Sequence, residues 1–370
     1  MILGVSAEQE ELRASVRRFL ADRAPLSRVR ALMDGGETDW AVWEQAGSQL
    51  GLQGLTIPEA YGGAGFSFAE QAVVLEEFGA ALYGGPYLAS AVLAATALLA
   101  SPDEGARRGL LPDIASGQTV ATLAFTEDGG SWDPAAIRLS AVKDGAAWRL
   151  DGHKSFVLDG ATAGLILVAA ATDAGLSLFA VTAGAAGLSR AALPALDQTR
   201  QLARLEFAGV TGRLIGSPGD GAAALDRALD VAAVALAAEQ LGGAQRALDM
   251  AVEYAKIRRQ FDRPIGSFQA IKHRCADLLL EVESLRSAVG YAAAAVAEDS
   301  AEIPVLASLV KAYGSETYFH VAAENIQIHG GIGFTWEHDA HLYFKRAKAS
   351  ELFLGDGAYH RERLANRIGL

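Results

Sequence analysis

Apolar positions over the first 118 residues recur every three or four residues, the period of helices that bury one face. Leu12, Val16, Phe19 and Leu20 make one stripe, and Ser6 with Gln9 three residues later is placed to cap it. Trp43, Ala46 and Leu50 make a second stripe. Residues 57–65 break the pattern with Pro58 and three glycines, and helical spacing resumes over 68–81 and 88–100. Near Gln118 the period changes from 3.6 to 2. Strands rich in aliphatic and β-branched residues are predicted at 119–125, 147–150, 164–171, 176–181 and 203–207. Lys143-Asp144-Gly145 reads as a hairpin turn between two of them. From Gly221 the helical period returns, with one long Ala-rich helix over 222–258 and others over 268–297, 304–329 and 339–353. Helices, strands, helices is the order of an α+β chain. The expected division is an N-terminal helical domain at 1–118, a middle β-domain at 119–215 and a C-terminal four-helix bundle at 216–370.

Composition narrows the class. Hydrophobic residues make up 51% of the 370 positions, enough for more than one core. No apolar run reaches the roughly 18 residues of a membrane span, and the start lacks a basic head followed by an apolar segment. A single cysteine, Cys275, rules out an internal disulfide framework and fits a reducing compartment, so a cytoplasmic chain is expected. No Cys/His cluster has metal-ligand spacing, and a net charge of −12 argues against a nucleic-acid partner.

Two phrases carry candidate chemistry, residues 258–269 and 327–334. In each, a helical pattern stops at Gly or Pro beside groups that can grip an anion or lie against a flat ring. Guanidinium and backbone N–H groups suit a pyrophosphate, and glycines let a ligand approach the backbone. Either phrase alone reads as a helix-to-helix turn. The pair, at this separation, reads as a dinucleotide site.

Five phrases in this order, 57–65, 123–131, 154–160, 254–269 and 327–334, resemble those of the acyl-CoA dehydrogenase family, and the resemblance spans essentially the whole chain. It implies a three-part fold, bound FAD, oxidation of an acyl-CoA between its α and β carbons, and electron transfer to an electron-transferring flavoprotein. By the same resemblance, Phe125 and Thr126 contact the flavin ring and Phe156 stacks on it. Leu158 stands where the family usually has a hydroxyl residue, so one flavin hydrogen bond is expected to be missing. Arg258, Gln260, Phe261 and Gln269 match residues that reach a neighbour's FAD across a dimer interface, with Gln327 and Gly331 as the second half of that clamp. This implies an oligomer, as a dimer of dimers. Ser131 lies near the thioester and Asp230 near the CoA moiety.

The reaction needs a carboxylate to remove the acyl-CoA α-proton. The resemblance places that glutamate at one of two positions, held here by Leu354 and Ala232. Neither side chain accepts a proton. Four readings follow: one subunit of a heteromer whose partner holds the base; a relocated base; a flavoprotein with different chemistry; or a catalytically silent subunit. The candidate for relocation is Glu239, seven residues and two turns beyond Ala232, roughly 10 Å along the helix. Its alternative is a buried carboxylate paired with an arginine or a helix terminus. Asp356 is expected to face away from the late position, and Glu337 to be an ion-pair partner. His329, His338, His341 and His360 are expected at the surface or an interface. The small Ala232, Ala233 and Ala235 would leave room for a bulky acyl group, such as a steroid or branched chain.

Overall fold

The computed structural model describes residues 6–33, 38–145 and 147–370. They divide into two compact units, one of residues up to 31, 68–83 and 233–370, the other of 32–67 and 84–232.

The second unit holds a seven-stranded sheet. Its strands are β1 (Ala121–Ala124), β2 (Ser140–Asp144), β3 (Ala147–Leu158), β4 (Leu165–Thr172), β5 (Gly175–Thr182), β6 (Leu188–Leu193) and β7 (Leu202–Ile215). β5 pairs with both β4 and β7, so the ladder β4-β2-β3-β7-β5 closes on itself, with β1 parallel to β4 and β6 added beside β7. The closed ladder encloses one core of alternating residues: Leu150, Val157, Ile166, Val168, Phe179, Val181, Leu205 and Val210. The expected turn is present, with Gly145 at φ +63° next to the Asp144–Ala147 pair. β3 and β7 run several residues past their predicted ends. Gly152 and a bulge between Lys154 and Val157 interrupt the alternation in β3 that a period of two would have shown. Strand β6 has a mostly exposed pattern and gives no such signal. Helices α3 (Trp40–Leu50), α5 (Ala95–Ala100) and α6 (Glu104–Ala115) share this unit, α5 continuing a buried π-helical segment, Leu88–Ala94. Ser90 in that segment accepts the Ala121 N–H at 3.0 Å and so fixes the start of β1.

The first unit is helical: α1 (Ala7–Arg23), α4 (Phe68–Ala80), most of α7 (Gly221–Ile257), α8 (Gln269–Ala297), α9 (Ile303–His329), α10 (Ala340–Leu352) and α11 (Gly357–Ile368). The Ser6 capping box closes with Gln9 as predicted. α4 and α7 meet at backbone contact. A Cβ on Gly79 would lie 1.9 Å from the Glu239 carbonyl oxygen, and one on Gly242 would lie 1.7 Å from that of Glu76, so no larger residue fits. The C-terminal region holds five helices rather than four. α11 starts a new helix because Leu354 and Gly355 take φ +61° and +100°, which ends α10, and Asp356 then caps the next helix by accepting the Tyr359 N–H at 2.8 Å. Asp356 thus serves as a cap, which turns its carboxylate to the backbone.

The histidine expectation is corrected. His329, His341 and His360 are buried, at 5%, 6% and 5% exposure, because the last three helices enclose them. Burial, with help from the Lys311 charge, pushes His360 down to about 3. The unfolded chain therefore binds a proton at this site below its ordinary value while the folded chain does not. The neutral ring's contribution to stability is full above pH 6.5 and is lost as pH falls toward 3, at about 1.4 kcal/mol per pH unit. His360→Gln, which keeps a donor for the Leu354 carbonyl, is expected to flatten the fall in urea midpoint between pH 6 and 4.5; an unchanged slope would assign it to other groups.

Candidate active site

In the β unit, the ends of β1 and β3 run side by side. Ser155 N–H donates to the Thr126 carbonyl at 2.8 Å, and the Lys154 ammonium donates to the Phe125 carbonyl at 3.0 Å and to Glu127 Oε1 at 2.9 Å. Phe125 and Thr126 are buried, and the Phe125 ring lies 5.9 Å from that of Trp132. The Thr126 hydroxyl makes no hydrogen bond among the described residues. Phe156 is half-buried at the bulge with φ +57°, a conformation that costs an aromatic residue of order 1–3 kcal/mol and that surrounding structure must impose. A Cβ built on Gly130 would meet its ring at 3.9 Å. Asp128 is held down at about 2 by hydrogen bonds from Arg204 and Ser155, so the loop after Thr126 is anchored to β7 and β3. Leu158 is buried, its carbonyl taken by the Thr122 hydroxyl at 2.6 Å. Ser131 is exposed, its hydroxyl accepting the Asp133 N–H at 3.2 Å. Asp230 is buried on α7.

In the helical unit, the phrase after α7 forms a two-residue hairpin, Arg259–Gln260 against Arg263–Pro264. Its central residues, Phe261 and Asp262, both take positive φ, +52° and +62°, the twist that a tight hairpin requires. The turn holds Phe261 out at 87% exposure, 6.2 Å from the Phe268 ring, on which Arg263 stacks at 3.9 Å. Arg258, Gln269 and Gln327 are exposed, and none of their side chains has a hydrogen bond or ion pair among the described residues. The Gln260 amide turns back to the Arg259 carbonyl at 2.8 Å. Gly331 lies in the exposed turn Gly330–Phe334. That turn is anchored from α2 (Leu26–Met33), where Arg30 donates to the Trp336 and His338 carbonyls and to Asp339 Oδ1 at 2.7–2.9 Å.

Three sequence profiles match the chain end to end: the acyl-CoA dehydrogenase N-terminal domain at residues 6–118, the middle domain at 122–210 and the C-terminal domain at 219–369. The chain belongs to the acyl-CoA dehydrogenase family. Acyl-CoA dehydrogenase IpdE2 of Mycobacterium tuberculosis is 37% identical over 349 residues, covering 94% of this chain and 93% of that protein. Among solved structures, the Tcur3481-Tcur3483 steroid acyl-CoA dehydrogenase variant superposes with TM-score 0.90 at 34% identity, covering 99% of each chain. The ChsE4-ChsE5 complex from Mycobacterium tuberculosis superposes with TM-score 0.91 at 30% identity, covering 100% of this chain and 99% of the other. The chain is therefore an oxidoreductase of the kind that acts on acyl-CoA, from a family whose members depend on FAD. No helix of the described residues is long and apolar enough to cross a membrane.

The residues present suit a flavin dinucleotide. In the helical unit an unpaired guanidinium and two unpaired amides suit a pyrophosphate; in the β unit a threonine hydroxyl without a partner, beside a half-buried phenylalanine, suits the rim and face of a ring.

The base positions are apolar. Ala232 is fully buried and Leu354 is 4% exposed. Glu239 is buried in α7 and accepts from Arg346 Nη1 of α10 at 2.7 Å, both side chains at most 8% exposed. The ion-pair alternative is the arrangement Glu239 adopts. Sequence reasoning overlooked two groups here, Arg346 and Lys154. Both are fully buried cations, and on a one-dimensional pattern each reads as an ordinary surface charge.

Proposed function

We propose that this chain is the base-lacking subunit of a heteromeric, FAD-dependent acyl-CoA dehydrogenase acting on a bulky acyl group of the steroid or branched type. The supporting observation is a contrast within the chain. The groups suited to FAD, Arg258, Gln269, Gln327 and Thr126, are in place and uncommitted, whereas both base positions carry buried apolar side chains. Two of the solved relatives, the Tcur3481-Tcur3483 protein and the ChsE4-ChsE5 complex, pair two different chains, and the first is a steroid enzyme. Ala232, Ala233 and Ala235 are all buried in α7, where small side chains let neighbours pack closely, so the bulky-substrate part of the reading rests on the steroid relative. Turnover confined to short linear acyl-CoAs would sink that part of the reading.

Bound FAD would supply the hydride acceptor for the β carbon. This chain's own residues bind and orient it. Phe125, Thr126 and Phe156 would face the ring of one FAD, and Arg258, Gln260, Phe261 and Gln269, with Gln327 and Gly331, would reach the FAD of a neighbouring subunit, where the guanidinium and the amides suit its phosphates. Ser131 and Asp230 border the acyl-CoA. Removal of the α-proton falls to a carboxylate of the partner subunit, and an electron-transferring flavoprotein receives the electrons. Glu239 serves as a structural ion-pair member.

The test is an anaerobic titration with a panel of acyl-CoAs, first on the chain alone and then on the chain co-expressed with a second family member. The reading expects no flavin bleaching by the chain alone and bleaching by the pair; bleaching alone would show that the chain carries its own base. Arg258→Ala is expected to weaken FAD binding about 10- to 100-fold, the loss of a charge-assisted pair with a phosphate, measured by flavin fluorescence on titration. An unchanged Kd would remove Arg258 from the phosphate site.

A further inference from the structure

A lysine with no exposed surface inside a β-barrel is an expensive choice, because an ammonium gives up its hydration and an apolar side chain of similar size would fill the space without that penalty. Lys154 is such a residue. Its contacts are few and directed: the Phe125 carbonyl at 3.0 Å and Glu127 Oε1 at 2.9 Å. Glu127 in turn takes the Arg138 and Leu139 backbone N–H groups on the same oxygen, at 2.8 and 2.7 Å. One ion pair between a buried lysine and a partly buried glutamate therefore joins three segments: the end of β1, the entry to β2 and the bulge of β3. Burial pushes Lys154 down to about 8, and the Glu127 carboxylate opposes the shift. Burial raises the Glu127 carboxyl, but the Leu139 N–H, Lys154 and the Arg138 N–H outweigh it and hold it below its usual range. Both groups are charged at neutral pH.

What the pair fixes is the position of two side chains. Immediately after Phe125 comes Thr126, and two residues after Lys154 comes Phe156 in its left-handed conformation. The Ser155 N–H to Thr126 carbonyl bond at 2.8 Å is the next rung of the same clamp. We propose that Lys154, through Glu127 and the Phe125 carbonyl, is the positioning residue that aligns Thr126 and Phe156 against the flavin ring. This rests on the FAD reading above, and it goes beyond it by assigning the alignment to the ion pair of Lys154 with Glu127. The bulge at Phe156 could relax toward regular pairing once the Lys154 rung is gone, because nothing in the aromatic side chain itself favours φ +57°.

The experiment compares Lys154→Met, the double variant Lys154→Met with Glu127→Gln, and the parent protein. The properties measured are the urea midpoint, exchange of the Ser155 amide in the flavin-free chain, FAD affinity, and the absorption spectrum and reduction potential of bound FAD. Lys154→Met leaves the partly buried Glu127 charge without its ammonium and is expected to lower the midpoint, and the double variant recovers much of that loss. In both, the Ser155 amide is expected to exchange at least about tenfold faster than in the parent while barrel amides such as Val168 stay protected, FAD binds about tenfold more weakly, and the flavin maxima and potential shift. A double variant with recovered midpoint but parental flavin spectrum and potential would overturn the positioning role and leave only a structural one. Unchanged Ser155 exchange would overturn the clamp without reference to flavin. A parent chain that binds no FAD under any condition would overturn the functional reading and the alignment with it.

Discussion

Arg346→Met is expected to lower the stability of the chain by about 3–5 kcal/mol, among the largest effects of any single substitution outside the glycine crossings. The side chain is 2% exposed and its Nη1 lies 2.7 Å from Glu239 Oε1, itself in a carboxylate 8% exposed. Removing the guanidinium takes that cation from a carboxylate that stays buried, where Gly79 packs against the Glu239 backbone. Replacing both charged residues, Glu239→Leu with Arg346→Met, is expected to recover most of the loss, since a buried pair and an apolar pair of similar volume differ little in stability. Urea denaturation checks both variants. A cost below about 1 kcal/mol for Arg346→Met would mean that the pair is solvated and weak. The same pair bears on catalysis. Glu239→Gln keeps an acceptor for Arg346, so it should leave turnover by a co-expressed complex near the parental value. Loss of turnover with an unchanged urea midpoint would instead make Glu239 the base.

Much of this was legible in the sequence, and the exceptions have physical causes. Stripes such as Val16–Phe19–Leu20 and the Ser6/Gln9 capping box are local signals, and local structure follows them. The long α7 was visible because its periodicity runs unbroken across residues that one helix must hold. The helix α11 was not, because its start depends on two left-handed residues, Leu354 and Gly355, of which only the glycine announces itself. The bulge at Phe156 was hidden for the same reason: its unusual φ is imposed by Lys154 and Ser155 from outside the residue. Of the candidate site, the exposed positions of Arg258, Gln269, Gln327 and Phe261 beside helix breaks were readable from the pattern. The groups that answer to the interior were not. Lys154, Arg346 and His360 are polar types, and only three-dimensional packing reveals that each is enclosed.

Leu354→Glu is expected to give the chain alone an acyl-CoA-dependent bleaching of bound FAD at least about 100-fold faster than the parent, since a placed general base contributes roughly 10²–10⁴ in rate. The backbone at this position is held independently of the side chain. His360 Nε2 donates to the Leu354 carbonyl at 2.9 Å, and the buried Lys311 ammonium donates to the Glu351 and Gly355 carbonyls at 3.1 and 2.7 Å. The φ of +61° strains leucine and glutamate alike, so the exchange adds no new backbone penalty. Placing a carboxylate where the leucine is 4% exposed raises its pKa by desolvation, which moves it toward the range of an effective base at neutral pH. It should also lower the urea midpoint, because a carboxylate placed there is desolvated and takes no hydrogen bond that the leucine site offers. Leu354→Gln is the control: it matches glutamate in shape and desolvation and takes no proton. Bleaching by the glutamate variant but not the glutamine variant would mean that the parent site lacks only its base, as expected of a subunit whose partner supplies one. Equal rates in the two, with FAD held at the parental level, would mean that the acyl-CoA does not reach this position in the correct orientation, and the base-lacking subunit reading would then fail.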